Sequence, residues 1–211
     1  MKLVIVGAGG FGREVLWLAE RMNQKEAVWE ILGFVDDNAK AQGTLLNGYP
    51  VLGTIDSLKD AKEDIWVACA IGSSATRKSI VQRLSGNHHI HFATLIDPSV
   101  LLSDSVQIGE GCIICAGAVL TVNIRVGNHV IINLNTTVGH DAVVEDFVTV
   151  YPNANISGNV TVGELSEIGT GTEIIQGKTI TKNVILGAGS VVIRDVLEEG
   201  TYVGVPIKKV H

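Results

Sequence analysis

Every sixth residue from Ile96 to Val192 is Ile, Leu or Val, an unbroken ladder of seventeen positions. It runs Ile96, Leu102, Ile108, Ile114, Leu120, Val126, Ile132, Val138, Val144, Val150, Ile156, Val162, Ile168, Ile174, Ile180, Leu186, Val192. A helix repeats every 3.6 residues and a strand every 2, so neither produces this spacing alone. A chain that turns a corner every six residues does, because one branched side chain per flat face then points into a shared interior. Three faces close one coil of eighteen residues, so 96–193 reads as a prismatic parallel β-helix of five to six coils. A sandwich of short strands would instead give irregular spacings of about 8–12 residues with varied turns.

A second column supports the prism. Four residues after each anchor stand small or β-branched side chains such as Val106, Cys112, Ala118, Val130, Thr136 and Ala142, which suit a tight corner. Lys178 breaks that column and predicts a deformed corner. Gly follows the anchor at Gly109, Gly127, Gly139, Gly163, Gly169 and Gly187, the expectation being that the turn needs unusual backbone angles there.

Residues 1–85 lack the six-residue pattern and read as an α/β half domain. Leu3–Val6 is a short apolar strand, Gly7-Ala8-Gly9-Gly10-Phe11-Gly12 a glycine-rich turn, and 13–23 has helical spacing. Ile31–Val35 reads as a second strand ending in Asp36-Asp37, and Ile65–Ile71 as another, closed by Gly72 and followed by a helix over 75–85. Residues 86–95, with His88, His89 and His91, read as a solvated linker, and 194–211 as a C-terminal tail. The Gly7-x-Gly9-x-x-Gly12 spacing between a strand and a helix is a nucleotide-binding fingerprint. It lets a phosphate approach the free N–H groups and positive dipole of a helix N-terminus. Asp36 or Asp37 is then placed for ribose hydroxyls or a polar ring edge. With the repeat taking over near residue 96, a mononucleotide-sized ligand fits better than NAD.

Composition narrows the partners. With 16 basic and 22 acidic residues the net charge is −6, and no basic cluster is longer than Lys208-Lys209. That argues against nucleic acid or an anionic membrane surface. The apolar stretch Leu3–Gly12 is too short to span a bilayer and lacks the features of a signal peptide, which predicts a cytoplasmic protein. Cys112 and Cys115 form a lone CxxC that the repeat already explains as corner packing, so no zinc site or disulfide is expected.

The interior of such a prism is filled, so chemistry must lie on its outside. Gly139-His140-Asp141 is the best candidate. His accepts a proton near neutral pH, and an adjacent carboxylate orients the ring and raises its basicity. Taken alone, a surface His with a chance acidic neighbour is the commoner explanation. His129 reads as surface with no role.

The repeat resembles the bacterial hexapeptide-repeat acyltransferases. The whole chain is similar to the sugar acetyltransferases that comprise sialic-acid O-acetyltransferases and N-acetyltransferases of nucleotide-linked 4-amino sugars. The matching stretches are Gly7–Gly12, Asp36-Asp37, Ala70-Ile71-Gly72, Gly139-His140-Asp141, Ile185–Gly189 and Tyr202–Pro206, in the family's order. The resemblance implies a left-handed β-helix that assembles as a homotrimer and uses acetyl-CoA as co-substrate, without a metal. It implies that His140 is the general base, Asp141 its support, and Gly158 an oxyanion donor. Gly9, Gly10, Phe11, Asp36, Asp37 and Gly72 would hold the nucleotide end of the sugar substrate, and Thr170 and Ala188 the CoA arm. Thr149 occupies the place near the acetyl group where some members carry a second His.

A thioester is already activated and an amine is a competent nucleophile, so positioning supplies much of the rate and no covalent intermediate is needed. The expected function is acetyl-CoA-dependent N-acetylation of a UDP- or GDP-linked amino sugar in surface-glycan synthesis. O-acetylation of a sugar hydroxyl, such as that of a sialic acid, is the neighbouring alternative. An NAD-dependent oxidoreductase, a metal hydrolase and a non-catalytic scaffold are more distant ones; the hydrolase lacks a third His to join His129 and His140.

Overall fold

The computed structural model describes residues 1–211. The chain opens with β1 (Lys2–Val6), α1 (Gly10–Lys25), β2 (Glu30–Val35), β3 (Leu45–Leu46), β4 (Tyr49–Gly53), β5 (Ile65–Cys69), α2 (Ser74–Leu84) and β6 (Ile90–Phe92). These strands form one sheet in the order β3-β4-β2-β1-β5-β6, parallel except for the β3–β4 hairpin. β1 is apolar throughout because both sides of a parallel sheet are covered. Leu3 and Ile5 pack with Val15, Leu16 and Ala19 of α1, and Val4 and Val6 pack with Ile80 and Leu84 of α2. Residues 86–95 are not the expected linker: β6 adds to the edge of the sheet beside β5, while His89 and His91 share the exposed Asp64 carboxylate.

From Leu95 onward two-residue strands recur every six residues and stack into the three faces of a left-handed parallel β-helix. The first face carries Leu95–Ile96, Ile113–Ile114, Ile131–Ile132, Thr149–Val150, Glu167–Ile168 and Val184–Leu186. The second runs from Leu101–Leu102 to Val191–Val192, and the third from Gln107–Ile108 to Thr179–Ile180. Each strand pairs with the one eighteen residues on, anchor against anchor, as Ile114 with Ile132 and Val138 with Ile156. The anchors from Ile114 to Val192 all lie in one buried cluster together with the corner residues Cys112, Ala118, Val130 and Ala142. The register holds at Lys178 too, whose carbonyl accepts the Thr161 N–H in the ordinary ladder. The corner there is not deformed.

The corners work differently from the sequence expectation. Positive φ falls not on the glycine after each anchor but two residues later, on Gly117, Asn123, Asn135, Asp141, Asn153 and Asn159 among others. Asn, Asp and Gly are the residues that enter this region most readily. The glycines that follow the anchors are small for another reason, close approach between coils. A Cβ on Gly139 would lie 2.6 Å from the backbone nitrogen of Gly158, and one on Gly163 2.5 Å from that of Lys182.

The α/β domain docks on the first face. There the residue before the anchor points outward, and Leu95, Ile113 and Ile131 are buried under Val15, Leu18 and their neighbours in one cluster. Each such buried aliphatic contributes about 1.5–3 kcal/mol relative to exposure. Below them the contact turns polar. The Arg77 guanidinium on α2, 0% exposed, donates to the carbonyls of Ile71 and Gly72 on its own domain and of His129, Phe147 and Val148 on the β-helix. Burial pulls its pKa down to about 10, and five carbonyl dipoles stand in for a counter-ion. Glu167 receives the Ser74 N–H at the start of α2 at 2.9 Å, a carboxylate at the positive end of a helix dipole. Lys78 pairs with Glu164 nearby. His129 is not a surface residue. It is 5% exposed, stacks on Phe147 and meets Phe92 edge-on, and burial with the Arg77 cation lowers its pKa to about 4.

Candidate active site

His140 sits at the edge where the second face turns into the third, between Val138 and Val143. Its Nδ1 lies 2.8 Å from Asp141 Oδ2, and Asn123 Nδ2 donates to Asp141 Oδ1 at 3.2 Å. The hydrogen bonds from His140 and Asn123 hold the Asp141 carboxyl below the usual range. An ionised carboxylate accepts from Nδ1–H, which leaves Nε2 of the neutral ring as the proton acceptor. The imidazole and carboxylate are 49% and 46% exposed, so a substrate can reach both.

One coil on, Gly158 lies against the ring. A Cβ there would be 2.5 Å from His140 Cε1 and 2.8 Å from Cδ2, with Nε2 closer still. Glycine is therefore required for His140 to lie flat along the edge. The Gly158 carbonyl accepts from Gly177, whereas its N–H bonds to no acceptor within the chain and lies over Gly139, which has no side chain to cover it. A proton acceptor and a free amide donor thus adjoin each other, the pair an acyl transfer requires. The structure brings together His140, Asp141 and Gly158, which the sequence singles out, and adds Asn123, whose signal is its eighteen-residue offset from Asp141.

The glycine turn is a second centre, on the α/β domain. Gly12 is obligatory because any side chain would overlap the Gly7 carbonyl oxygen, while a Cβ on Gly9 or Gly10 would meet nothing within 4 Å. Those two glycines leave an open approach to the N-terminus of α1, flanked by half-buried Phe11. Asp36 closes the turn by accepting the Ala8 N–H at 2.7 Å, and Asp37 accepts the Ile55 N–H at 3.0 Å and pairs with Arg83. Both carboxylates are thus engaged inside the domain. Gly72 lies beside this turn, because Ile71 and Ala70 are what a Cβ on Gly7 would strike. On its other side is Tyr151, whose hydroxyl donates to Glu167 at 3.0 Å and whose pKa burial and that carboxylate push up to about 12.

Thr149 lies at the contact between the two domains. It is 1% exposed under the docked domain, and its hydroxyl donates to the Gly72 carbonyl at 2.7 Å. An outward side chain on the first face is covered wherever the α/β domain sits. Thr170 and Ala188 are exposed and stack at the edge between the first and second faces, where the Thr170 carbonyl accepts the Gly189 N–H. His140 lies at the edge opposite the first face. One protomer therefore separates its base from both its glycine turn and the Thr170–Ala188 edge by the width of the prism. A hollow of about 340 Å³ on the third face reaches Asp141 and runs into a groove of about 580 Å³ along Arg125 and Asp146, free of the α/β domain.

Residues 2–84 match the family described as the PglD N-terminal domain. Over 186 residues the chain is 30% identical to GDP-perosamine N-acetyltransferase of Escherichia coli O157:H7, spanning 88% of this chain and 82% of that protein. Among solved structures, the acetyltransferase domain of PglB from Neisseria gonorrhoeae FA1090 in complex with acetyl coenzyme A gives a TM-score of 0.90 at 35% identity, covering 99% of this chain and 98% of that one. A His-to-Asn mutant of perosamine N-acetyltransferase from Caulobacter crescentus, in complex with CoA and GDP-perosamine, gives a TM-score of 0.90 at 28% identity, covering 100% of this chain and 97% of that one. With a PglD-type domain joined to a hexapeptide-repeat β-helix over its full length, the chain belongs to the hexapeptide-repeat sugar acetyltransferases.

Proposed function

We propose that the protein transfers the acetyl group of acetyl-CoA to the amine of a nucleotide-linked (UDP or GDP) amino sugar, with His140 as general base. The observation that carries this is the His140 ring, oriented by Asp141 and laid against the unpaired amide of Gly158. The amine nitrogen attacks the thioester carbonyl carbon as His140 Nε2 takes its proton. The Gly158 N–H donates to the oxygen that becomes negative, a bond that strengthens only as charge develops. The C–S bond then breaks, and the imidazolium returns the proton to the departing thiolate. Asp141 stabilises that imidazolium without itself being protonated. Relatives in complex with acetyl coenzyme A, or with CoA and GDP-perosamine, support both substrates. An open glycine turn at the N-terminus of a helix, suited to a phosphate, favours this acceptor over a free sialic acid. Both substrates are cytoplasmic metabolites, which supports a cytoplasmic reaction.

The working unit in this reading is a homotrimer. The His140 edge of one copy docks beside the Gly9, Gly10, Phe11 and Gly72 cradle and the Thr170–Ala188 edge of the next, uniting what one protomer keeps apart. Such a head-to-tail contact closes into a ring when the rotation between copies is a simple fraction of a turn. The test is complementation in a thiol-release assay. His140→Ala and Gly10→Trp, purified alone, should each lose at least about 100-fold in turnover. Co-expressed and purified as mixed trimers, they should regain measurable activity, because some interfaces pair an intact edge with an intact cradle. Wild-type-like turnover by His140→Ala, or release only with free sialic acids, would overturn the assignment. Mixed trimers as inactive as the parents would overturn the shared site.

A further inference from the structure

The column of outward residues on the first face changes character as it climbs. Leu95, Ile113 and Ile131 are apolar and buried, Thr149 and Glu167 are polar and hydrogen-bonded to the α/β domain, and Ile185 is exposed. Thr149 is the turning point. Its hydroxyl donates to the Gly72 carbonyl at 2.7 Å, and Arg77 Nη1 donates to the same oxygen at 3.2 Å. Two donors on one carbonyl, one from each domain, fix the direction of the peptide between Gly72 and Ser73. In a trans peptide the N–H points opposite the C=O. With the carbonyl turned into the domain contact, the Ser73 N–H is turned out of it, and it bonds to no acceptor within the chain. The same loop abuts the glycine turn, since Ile71 and Ala70 are the nearest atoms to Gly7.

We propose that Thr149 is a positioning residue for the nucleotide-sugar substrate, acting through the Gly72 carbonyl, and takes no part in holding acetyl-CoA. This rests on the nucleotide-sugar reading above and assigns Thr149 to the other substrate from the one its place in the family suggests. A hydroxyl buried between two domains cannot reach an acetyl group, but it can set the edge of the cradle it is bonded to. Arg77 shares the task and makes the contact rigid, being tied to three further carbonyls of the β-helix.

Thr149→Val keeps the shape and removes the donor, and Thr149→Ser keeps the donor. Each variant and the wild type are titrated calorimetrically with UDP, with GDP and with CoA. In the Val variant the nucleoside diphosphate that the wild type binds should bind about 5-fold more weakly, the size of one hydrogen bond, with the CoA affinity within about 2-fold of wild type. The Ser variant should bind both ligands as the wild type does. Weakened CoA binding in the Val variant, equal weakening of both ligands, no change in either, or failure of Ser to restore binding would each overturn the proposal. A wild type that binds neither UDP nor GDP overturns the nucleotide-sugar reading and this inference together. One that binds a nucleotide but transfers no acetyl group overturns only the reaction, and the Val-to-Ser comparison still decides the role of Thr149.

Discussion

Gly158→Ala separates the chemistry of the site from its fold more sharply than removal of the base does. The added Cβ would lie 2.5 Å from His140 Cε1 and 2.8 Å from Cδ2. Carbon atoms rest about 3.5–4.0 Å apart, so the ring must retreat by about 1 Å. It can, because it is half exposed, but only by leaving Asp141 Oδ2 and the Gly158 amide. A displacement of about 1 Å at a reacting group costs on the order of 100-fold in rate. Stability should hardly change. Gly158 lies outside the left-handed region, so alanine meets no backbone penalty, and it gains about 0.4–1 kcal/mol from a less flexible unfolded chain. The expected result is therefore a fall of about 100-fold in kcat/KM for thiol release, with a melting temperature within a few degrees of wild type. Alanine keeps the amide N–H, so the loss reports the displaced ring. A Gly158→Ala, His140→Ala double variant should then be no worse than about 3-fold below His140→Ala alone, because both changes act on one group. A folded Gly158→Ala enzyme within about 3-fold of wild-type kcat/KM would refute the placement of the base over this glycine.

Two further outcomes follow from the domain contact. His129 is held near pKa 4 against an ordinary 6.5, so the unfolded chain takes up a proton that the folded chain refuses. Stability is then full above pH 6.5 and falls as the pH drops toward 4, by about 3 kcal/mol. In His129→Asn this part of the acid dependence of urea unfolding should vanish; Asn183 already takes the same backbone conformation at the corresponding corner. Equal slopes for the two proteins between pH 6.5 and 4 would show that His129 is not the titrating group. Arg77→Met strands the carbonyls of Ile71, His129 and Phe147 between the domains, since Gly72 keeps the Thr149 hydroxyl and Val148 the Ile131 N–H, with an expected loss of about 3 kcal/mol in urea unfolding. A loss under about 1 kcal/mol would mean that water replaces the guanidinium without penalty.

The β-helix is legible because its interior accepts one kind of side chain at one spacing, and nothing local competes with that rule. The docking of the two domains is not, although its trace lies in the sequence. Leu95, Ile113 and Ile131 stand eighteen residues apart immediately before anchors, three successive apolar coils, where the second face passes from Leu101 and Val119 to Thr137 and Asn155 and the third mixes Gln107 and Arg125 with Val143. An apolar residue beside an apolar anchor reads as more of the same ladder unless its direction is considered. Arg77 and Thr149 escape for the opposite reason. A charged residue on a short helix and a threonine on a strand are ordinary surface choices, and only the partner domain makes them buried. His129 misleads in the same way, since Phe92 and Phe147 close over it from distant stretches of chain.

The Gly-His-Asp motif joins two demands that sequence alone cannot tell apart. The third residue after an anchor must enter the left-handed region, and in this edge column it is Asn123, Asp141, Asn159 and Gly177. The corner thus already favours Asn, Asp or Gly at position 141, and the site needs only that the choice be the charged one. The first residue after an anchor is not small everywhere, as Tyr151 and Ile175 show, but at this corner a Cβ would lie 2.6 Å from the Gly158 amide nitrogen, so Gly139 is there for the stacking of the next coil and puts no side chain of its own against that amide. Gly158 is the reverse case. It stands in the column of His140, where Val122 and Gln176 show that a side chain is otherwise accepted, so its smallness answers to the imidazole alone. Of the residues that meet at this edge, His140 and Gly158 are the two the corner does not dictate. That is why substitution at either should remove activity while leaving the eighteen-residue ladder intact.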